Sequence, residues 1–199
     1  MAYEELLEFW FGNLANGFAD APHRRRWFRV DASFDEEIRS RFGGLIEAAL
    51  DGGLREWLAD VHGRLAYVLL TDQFTRNVFR GTAKAFAGDS FALAAARDGV
   101  AMRADAQLGY DERAFFYVPF EHSESPVDQH TAVGLFTLLR DDSPRGQRRQ
   151  TTTTLRFAVG HRDVVLRFGR FPHRNAVLGR TSTDEEIAFL ATAARFGQA

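Results

Sequence analysis

The densest group of chemically capable side chains runs from His161 to Asn175, HRDVVLRFGRFPHRN. Arg167, Arg170 and Arg174 fall within eight residues, with His161, His173 and Asn175 around them and Phe168, Phe171 and Pro172 interleaved. A guanidinium is a rigid planar donor fork that matches a carboxylate or a phosphate. Cations this close repel one another unless something negative answers them. The answer is either a bound anion or carboxylates from elsewhere in the chain. Asp72, Glu121 and Glu124 are the carboxylates that would turn a ligand pocket into a buried polar network.

Two further strings have the same character. Pro119-Phe-Glu-His-Ser-Glu124 sets two carboxylates, an imidazole and a hydroxyl between two helical segments, a usual place for functional groups. Imidazole titrates near neutral pH, so His122, Glu121 and His173 are the acid–base candidates. Adjacent residues cannot all point one way, so His122-Ser123 is not a catalytic dyad, and there is no G-x-S-x-G elbow. The plainer reading is local: Ser123 or Ser125 caps the next helix and Glu121 pairs with an arginine. In the remaining string, Asp72 to Arg80, Asp72, Arg76 and Arg80 are spaced i, i+4, i+8 and share a face if the helix persists, with Asn77 beside them. Its plainer reading is a solvated ion-pair ladder, worth little energetically. His161 and His173 are twelve apart, and neither H-E-x-x-H nor an i, i+4 histidine pair occurs, so no metal or cofactor is expected.

The elements that must position these strings read as helices. Leu6, Leu7, Trp10 and Phe11 have helical spacing over 3–11. Residues 13–32 hold Asn, Gly, Asp and Pro and read as an irregular connection. Ser33 with Glu36 has capping-box spacing, and the stripe Ile38, Phe42, Leu45, Ile46, Ala49 follows until Gly52-Gly53. A short turn over 54–60 precedes a helix over 64–74. Gly81-Thr82 and Gly88-Asp89 punctuate, and 89–104 is Ala-rich and helical. A short helix over 111–118 ends at Pro119. Ser125-Pro126 starts another to about Leu139. Residues 141–147 form a loop, 150–168 a long helix, and 169–180 an irregular segment. Thr183 caps a last helix to about Phe196. This makes about eight helices and no sheet, since no run alternates with period two. Short helix–turn–helix connections would allow a solenoid of diverged repeats.

The chain has 199 residues, which suits one domain over 1–199. Zero cysteines exclude disulfides, thiol nucleophiles and thiolate metal sites. The first 15 residues carry acidic groups and no basic n-region, and no apolar run approaches membrane-helix length, so a cytoplasmic protein with no membrane partner is expected. Lys84 is the only lysine among 25 cations. GC-rich coding accounts for that total, so the placement of the arginines matters and their number does not. Arg24-Arg25-Arg26-Trp27 and Arg145 to Arg149 are basic patches, but a net charge of −2 disfavours nucleic acid and favours solvated loops.

The three polar strings belong to a wider pattern. Phe9-Trp-Phe-Gly12, Trp27-Phe28 before Phe34-Asp35, Asp72 to Thr82, Pro119 to Glu124 and Phe168 to Thr183 together resemble the bacterial DUF924 family, over nearly the whole chain. Thr71 and Thr75 stand where the family usually has Leu and Pro, and Ser125-Pro126 where it has Asp-Leu. The resemblance implies an all-α fold of helical hairpins packed as a tetratricopeptide-like right-handed superhelix. It implies no reaction.

The leading expectation is a pocket for a small anion, carboxylate or phosphate, on a concave helical face. Asp72, Arg76, Asn77, Arg80, Glu124, His161, Arg167, Arg170, Arg174 and Asn175 are its candidate ligand contacts. Whether chemistry follows binding is left open. The alternative is an interaction module binding an acidic peptide through the same arginines. RNA binding through the basic patches is a third reading.

Overall fold

The computed structural model describes residues 2–192, and among them the chain forms nine α-helices and no sheet. Helix α1 (Ala2–Phe11) buries Leu6, Phe9, Trp10 and Phe11. Helix α2 (Ala21–Trp27) lies where an irregular connection was expected. Asp20 accepts the His23 N–H at 2.9 Å and Pro22 sits in the first turn, a start signal hidden among residues that otherwise break helices. Trp27 anchors this helix by donating its indole N–H to the Trp10 carbonyl at 2.9 Å.

Helix α3 (Ala32–Leu50) begins one cap earlier than expected. Asp31, not Ser33, accepts the Ser33 and Phe34 N–H groups, and the Ser33 hydroxyl donates to Asp31 as well. A carboxylate is the stronger acceptor, so it displaces the hydroxyl from the capping role. The stripe Ile38, Phe42, Ile46 and Ala49 is buried as its spacing predicts.

Asp60 caps helix α4 (Val61–Leu69) by accepting from His62 and Gly63. The helix then widens into a π segment, Leu70–Phe74, and closes with an α turn, Thr75–Val78. Such π insertions are rare and concentrate at functional sites. Here side chains take up the displaced carbonyls. Thr71 donates to Tyr67, Thr75 to Thr71 and Asp72, and Arg76 to Asp72.

Helices α5 (Asp89–Ala101), α6 (Tyr110–His122), α7 (Pro126–Asp142) and α8 (Arg148–Phe168) pack in succession, with α5 also against α4. Helix α6 runs through Pro119 to His122, whereas the sequence predicts an end at Pro119. Proline removes only one helical donor here. Phe120 and Glu121 are buried, and Gln129 donates to the Glu121 and Ser123 carbonyls at 2.7 and 2.6 Å, closing the end of the helix. Ser125 occupies the N-cap of α7 without a side-chain hydrogen bond. Asp128 instead receives Ser123 and Arg97. Thr183 and Glu186 form the predicted capping box on α9 (Asp184–Leu190). The expected extension to Phe196 lies outside the described residues.

Phenylalanine fills the core. Phe9 stacks on Phe34 at 5.4 Å, Phe42 meets Phe74 at 5.4 Å, and Trp10 meets Phe115 edge-on at 5.4 Å. A smaller cluster of Val164, Val165, Phe168, Phe171 and Phe189 ties α9 to α8. No helix among the described residues is long and apolar enough to cross a membrane.

Candidate functional site

Five segments converge beside the π segment. Asp72 comes from the π segment itself, Arg76 from the turn after it, and Asp89 from the first turn of α5. Glu121 and His122 come from the last turn of α6 and His161 from α8. His173 and Arg174 come from a 3₁₀ turn, Pro172–Arg174, that follows the left-handed Gly169 at φ 69°. Gly88 makes the junction between α4 and α5 possible. A Cβ at Gly88 would lie 2.1 Å from the Thr71 carbonyl oxygen, so only glycine lets Asp89 approach this closely.

Asp72 is buried at the centre. Its Oδ1 lies 2.7 Å from His122 Nδ1 and 2.9 Å from Arg76 Nη1, and its Oδ2 accepts from Gln73 at 2.5 Å. Burial opposes the carboxylate charge. Arg76 and His122 outweigh it and hold the Asp72 pKa well below the usual carboxylate range. Asp89 bridges the two arginines, with Oδ1 2.9 Å from Arg76 Nη1 and Oδ2 3.1 Å from Arg174 Nη1. Arg174 also donates to the His122 carbonyl at 3.0 Å and lies between the Phe86 and Phe171 rings, at 4.7 and 4.6 Å. Burial, reinforced by Arg76, lowers its pKa to about 10, so it stays charged at neutral pH.

Two histidine–carboxylate pairs stand side by side, with ring centroids 6.0 Å apart. In the first, burial and then Arg76 push the His122 pKa down despite Asp72. A neutral His122 facing an ionised Asp72 must carry its proton on Nδ1, which leaves Nε2 as the basic nitrogen. In the second, His161 Nδ1 lies 2.7 Å from Glu121 Oε1 and 2.9 Å from the Phe157 carbonyl oxygen. Burial there opposes protonation, but Glu121 overrides it and the His161 pKa is raised. His173 packs its ring on Phe171 at 5.4 Å, and burial together with Arg174 lowers its pKa to about 3.

Part of the expected site lies elsewhere. Arg80 and Asn77 turn to Asp35 on α3, because the helix ends at Val78 and the i, i+8 relation is lost. Arg170 forms a bidentate pair with Glu186 at 2.7 and 2.8 Å, and Arg167 an exposed pair with Glu185 at 2.8 Å. Asn175 donates to Ser182 and Glu186. These residues hold α9 onto the molecule. Glu124 accepts from the Phe171 N–H and from both Arg180 terminal nitrogens, which fixes the loop that carries His173 and Arg174.

Asp89, Gln73, Phe86 and Arg180 were not singled out by sequence. Asp89 reads as a helix start, and only the surplus of nearby arginines hinted that another carboxylate was required. Among the described residues, no group of three or more His, Asp or Glu has an arrangement that could hold a metal.

The fold and cluster define a class: an all-helical protein that buries two histidine–carboxylate pairs and two arginines against a π-helical turn. The sequence matches the family described as "Bacterial protein of unknown function (DUF924)" over residues 6–194, and the chain belongs to that family. It is similar in structure to the protein of unknown function ATU0120 from Agrobacterium tumefaciens, with 36% identity and a TM-score of 0.82. The match covers 96% of this chain and 97% of that one. No curated protein matches the sequence.

Proposed function

We propose that the protein binds a small anion of the carboxylate or phosphate class between Arg76 and Arg174, and that the paired histidines move a proton on it. One observation carries this reading. Arg76 Nε and Nη2 and Arg174 Nε are buried and have no acceptor among the described residues. A buried donor left without an acceptor costs about 1–3 kcal/mol, so three on adjacent cations favour an acceptor-rich guest. The histidines support the acid–base half. Their surroundings push them apart, with His122 toward neutral and His161 toward imidazolium, which separates a base from an acid. The sequential packing of α5 to α8 supports a solenoid-like arrangement of these helices. Burial of Arg174 favours a small guest over a peptide in an open groove.

Thermal unfolding against carboxylates, phosphates and nucleotides tests the proposal. A ligand at a hundredfold excess over its Kd adds about 2.7 kcal/mol and raises Tm by a few degrees. Arg174→Lys should abolish the response of the responding class, and Arg170→Ala should leave it intact. Absence of any response across the three classes overturns the reading.

A further inference from the structure

The two basic segments, more than a hundred residues apart in sequence, meet on one face. Arg24 on α2 donates to Gln150 on α8, and Phe28 stacks near Phe157 with centroids 6.4 Å apart and planes at 28°. These two contacts bring the C-terminal end of α2 and the residue after it beside the first half of α8. Residues 21–30 and 143–161 hold eight arginines and no Asp or Glu. Arg25, Arg26 and Arg29 are exposed on the first segment, and Arg145, Arg149 and Arg156 on the second.

Elsewhere several arginines near the surface are answered, although among the described residues exposed Arg55 and Arg103 also have no carboxylate partner. Arg39, Arg41, Arg97, Arg113 and Arg162 each have a carboxylate partner. On this face Arg25, Arg145, Arg149 and Arg156 have none among the described residues. Carboxylates beside the two segments are already committed. Asp20 and Asp31 cap α2 and α3, Asp111 is buried under Ala19 and Gln150, and Asp142 pairs with Arg113. Arg148 and Arg149 also stand at the start of a 21-residue helix, where the dipole favours negative charge.

Two large rings are exposed amid this charge. Phe28 is 67% and Phe157 50% accessible. Phe28 lies nearly parallel to the buried Phe115, with ring centroids 6.1 Å apart. A guanidinium field around exposed, nearly parallel rings is the chemistry that holds a phosphate backbone and stacks unpaired bases. An acidic peptide would use the charge but not the rings. We infer that this face binds single-stranded nucleic acid through the α2 and α8 arginines, with bases stacking on Phe28 and Phe157. The formal charge of −2 hides the face because the carboxylates lie elsewhere.

Fluorescence anisotropy of a labelled twelve-nucleotide uridine RNA, with the same sequence as DNA in parallel, tests the inference on the full chain. Saturable binding of either strand is expected, weakening with salt. Each phosphate contact on a single strand contributes about −0.7 to the slope of log K against log salt, so the triple change Arg25→Gln, Arg149→Gln, Arg156→Gln should make the slope shallower by about 2. Phe28→Leu with Phe157→Leu keeps the apolar surface, removes the rings, and should weaken binding at least tenfold with the slope unchanged. All these positions are exposed, and circular dichroism verifies that the variants fold. Three results overturn the inference: no saturable binding at 50 mM salt, equal displacement by polyglutamate at matched charge, or an unchanged affinity in the double Leu variant. Equal displacement by polyglutamate would reassign the face to acidic protein partners.

Discussion

His122 Nδ1 lies 2.7 Å from Asp72 Oδ1, joining the last turn of α6 to the π segment that continues α4. Fifty residues separate the two in sequence, and the same carboxylate oxygen also meets Arg76. Asp72 is therefore the anion on which one imidazole and one guanidinium depend. Asp72→Ala should destabilise the protein by about 3–5 kcal/mol, because it leaves Arg76 buried with only Asp89 to balance it. Urea denaturation measures the change. A loss below about 1 kcal/mol would mean that the pair contributes little to holding α4 and α6 together.

Stability should depend on pH in two opposed ways. His122 and His173 have folded pKa values below the unfolded value near 6.5, so their contribution is present above that pH. It is lost as pH falls through the folded values, about 3 for His173. His161 is raised, so its contribution is present below about 6.5 and lost as pH rises through its folded value. Asp111, pushed by burial up to about 6, acts in the same sense as His161, losing its contribution between about 4 and 6. His173→Asn should flatten the acid limb of ΔG against pH, and His161→Asn the alkaline limb. Histidine NMR titration should find His161 charged and His173 neutral at pH 6. The reverse order would refute the assignment.

Gly88→Ala should cost about 1–3 kcal/mol, the range for overpacking, because the new methyl collides with the Thr71 carbonyl, a backbone atom that cannot swing away. The same displacement carries Asp89 away from Arg76 and Arg174. The variant should therefore also lose any ligand-induced rise in Tm. A normal ligand response would show that Asp89 is not needed to position the arginines.

Arg170 and Arg174 lie four apart and should behave differently. Arg170 holds Glu186, whose pKa its hydrogen bonds lower to about 2, so this pair's contribution is present above about 4.5 and lost as pH falls toward 2. Arg170→Ala should lower Tm through loosening of α9, with the His122 and His161 titrations unmoved. Arg174→Gln, which removes the charge, should raise both titrations, since the Arg174 charge lowers both imidazoles. Two-dimensional histidine spectra across pH separate the cases, and equal effects from both variants would contradict the geometry.

The helical class and most helix starts were legible because they are local. Thr183 with Glu186 and the stripe Ile38, Phe42, Ile46, Ala49 are determined by residues within a turn or two of one another. Local reasoning failed where two local signals competed, as with Asp31 over Ser33, or where a distant group rescued a break. Gln129 closes the end of α6 beyond Pro119 from another helix, and no reading of residues 111–122 reveals it.

The candidate site divides along the same line. The residue types and the three strings were in the sequence, and so was the need of the arginines for anions. Which arginine meets which carboxylate was not. Arg170 and Arg174 have the same chemistry and nearly the same position, yet one serves α9 and the other Asp89 and His122. Hydrogen-bonding atoms must come within about 3 Å, and a one-turn shift or a π insertion changes which of them do. The sequence by itself determined a helical, cysteine-free chain with polar groups gathered in three places. Only the tertiary structure selected the partners, because pairing depends on distances between segments that the chain order leaves free.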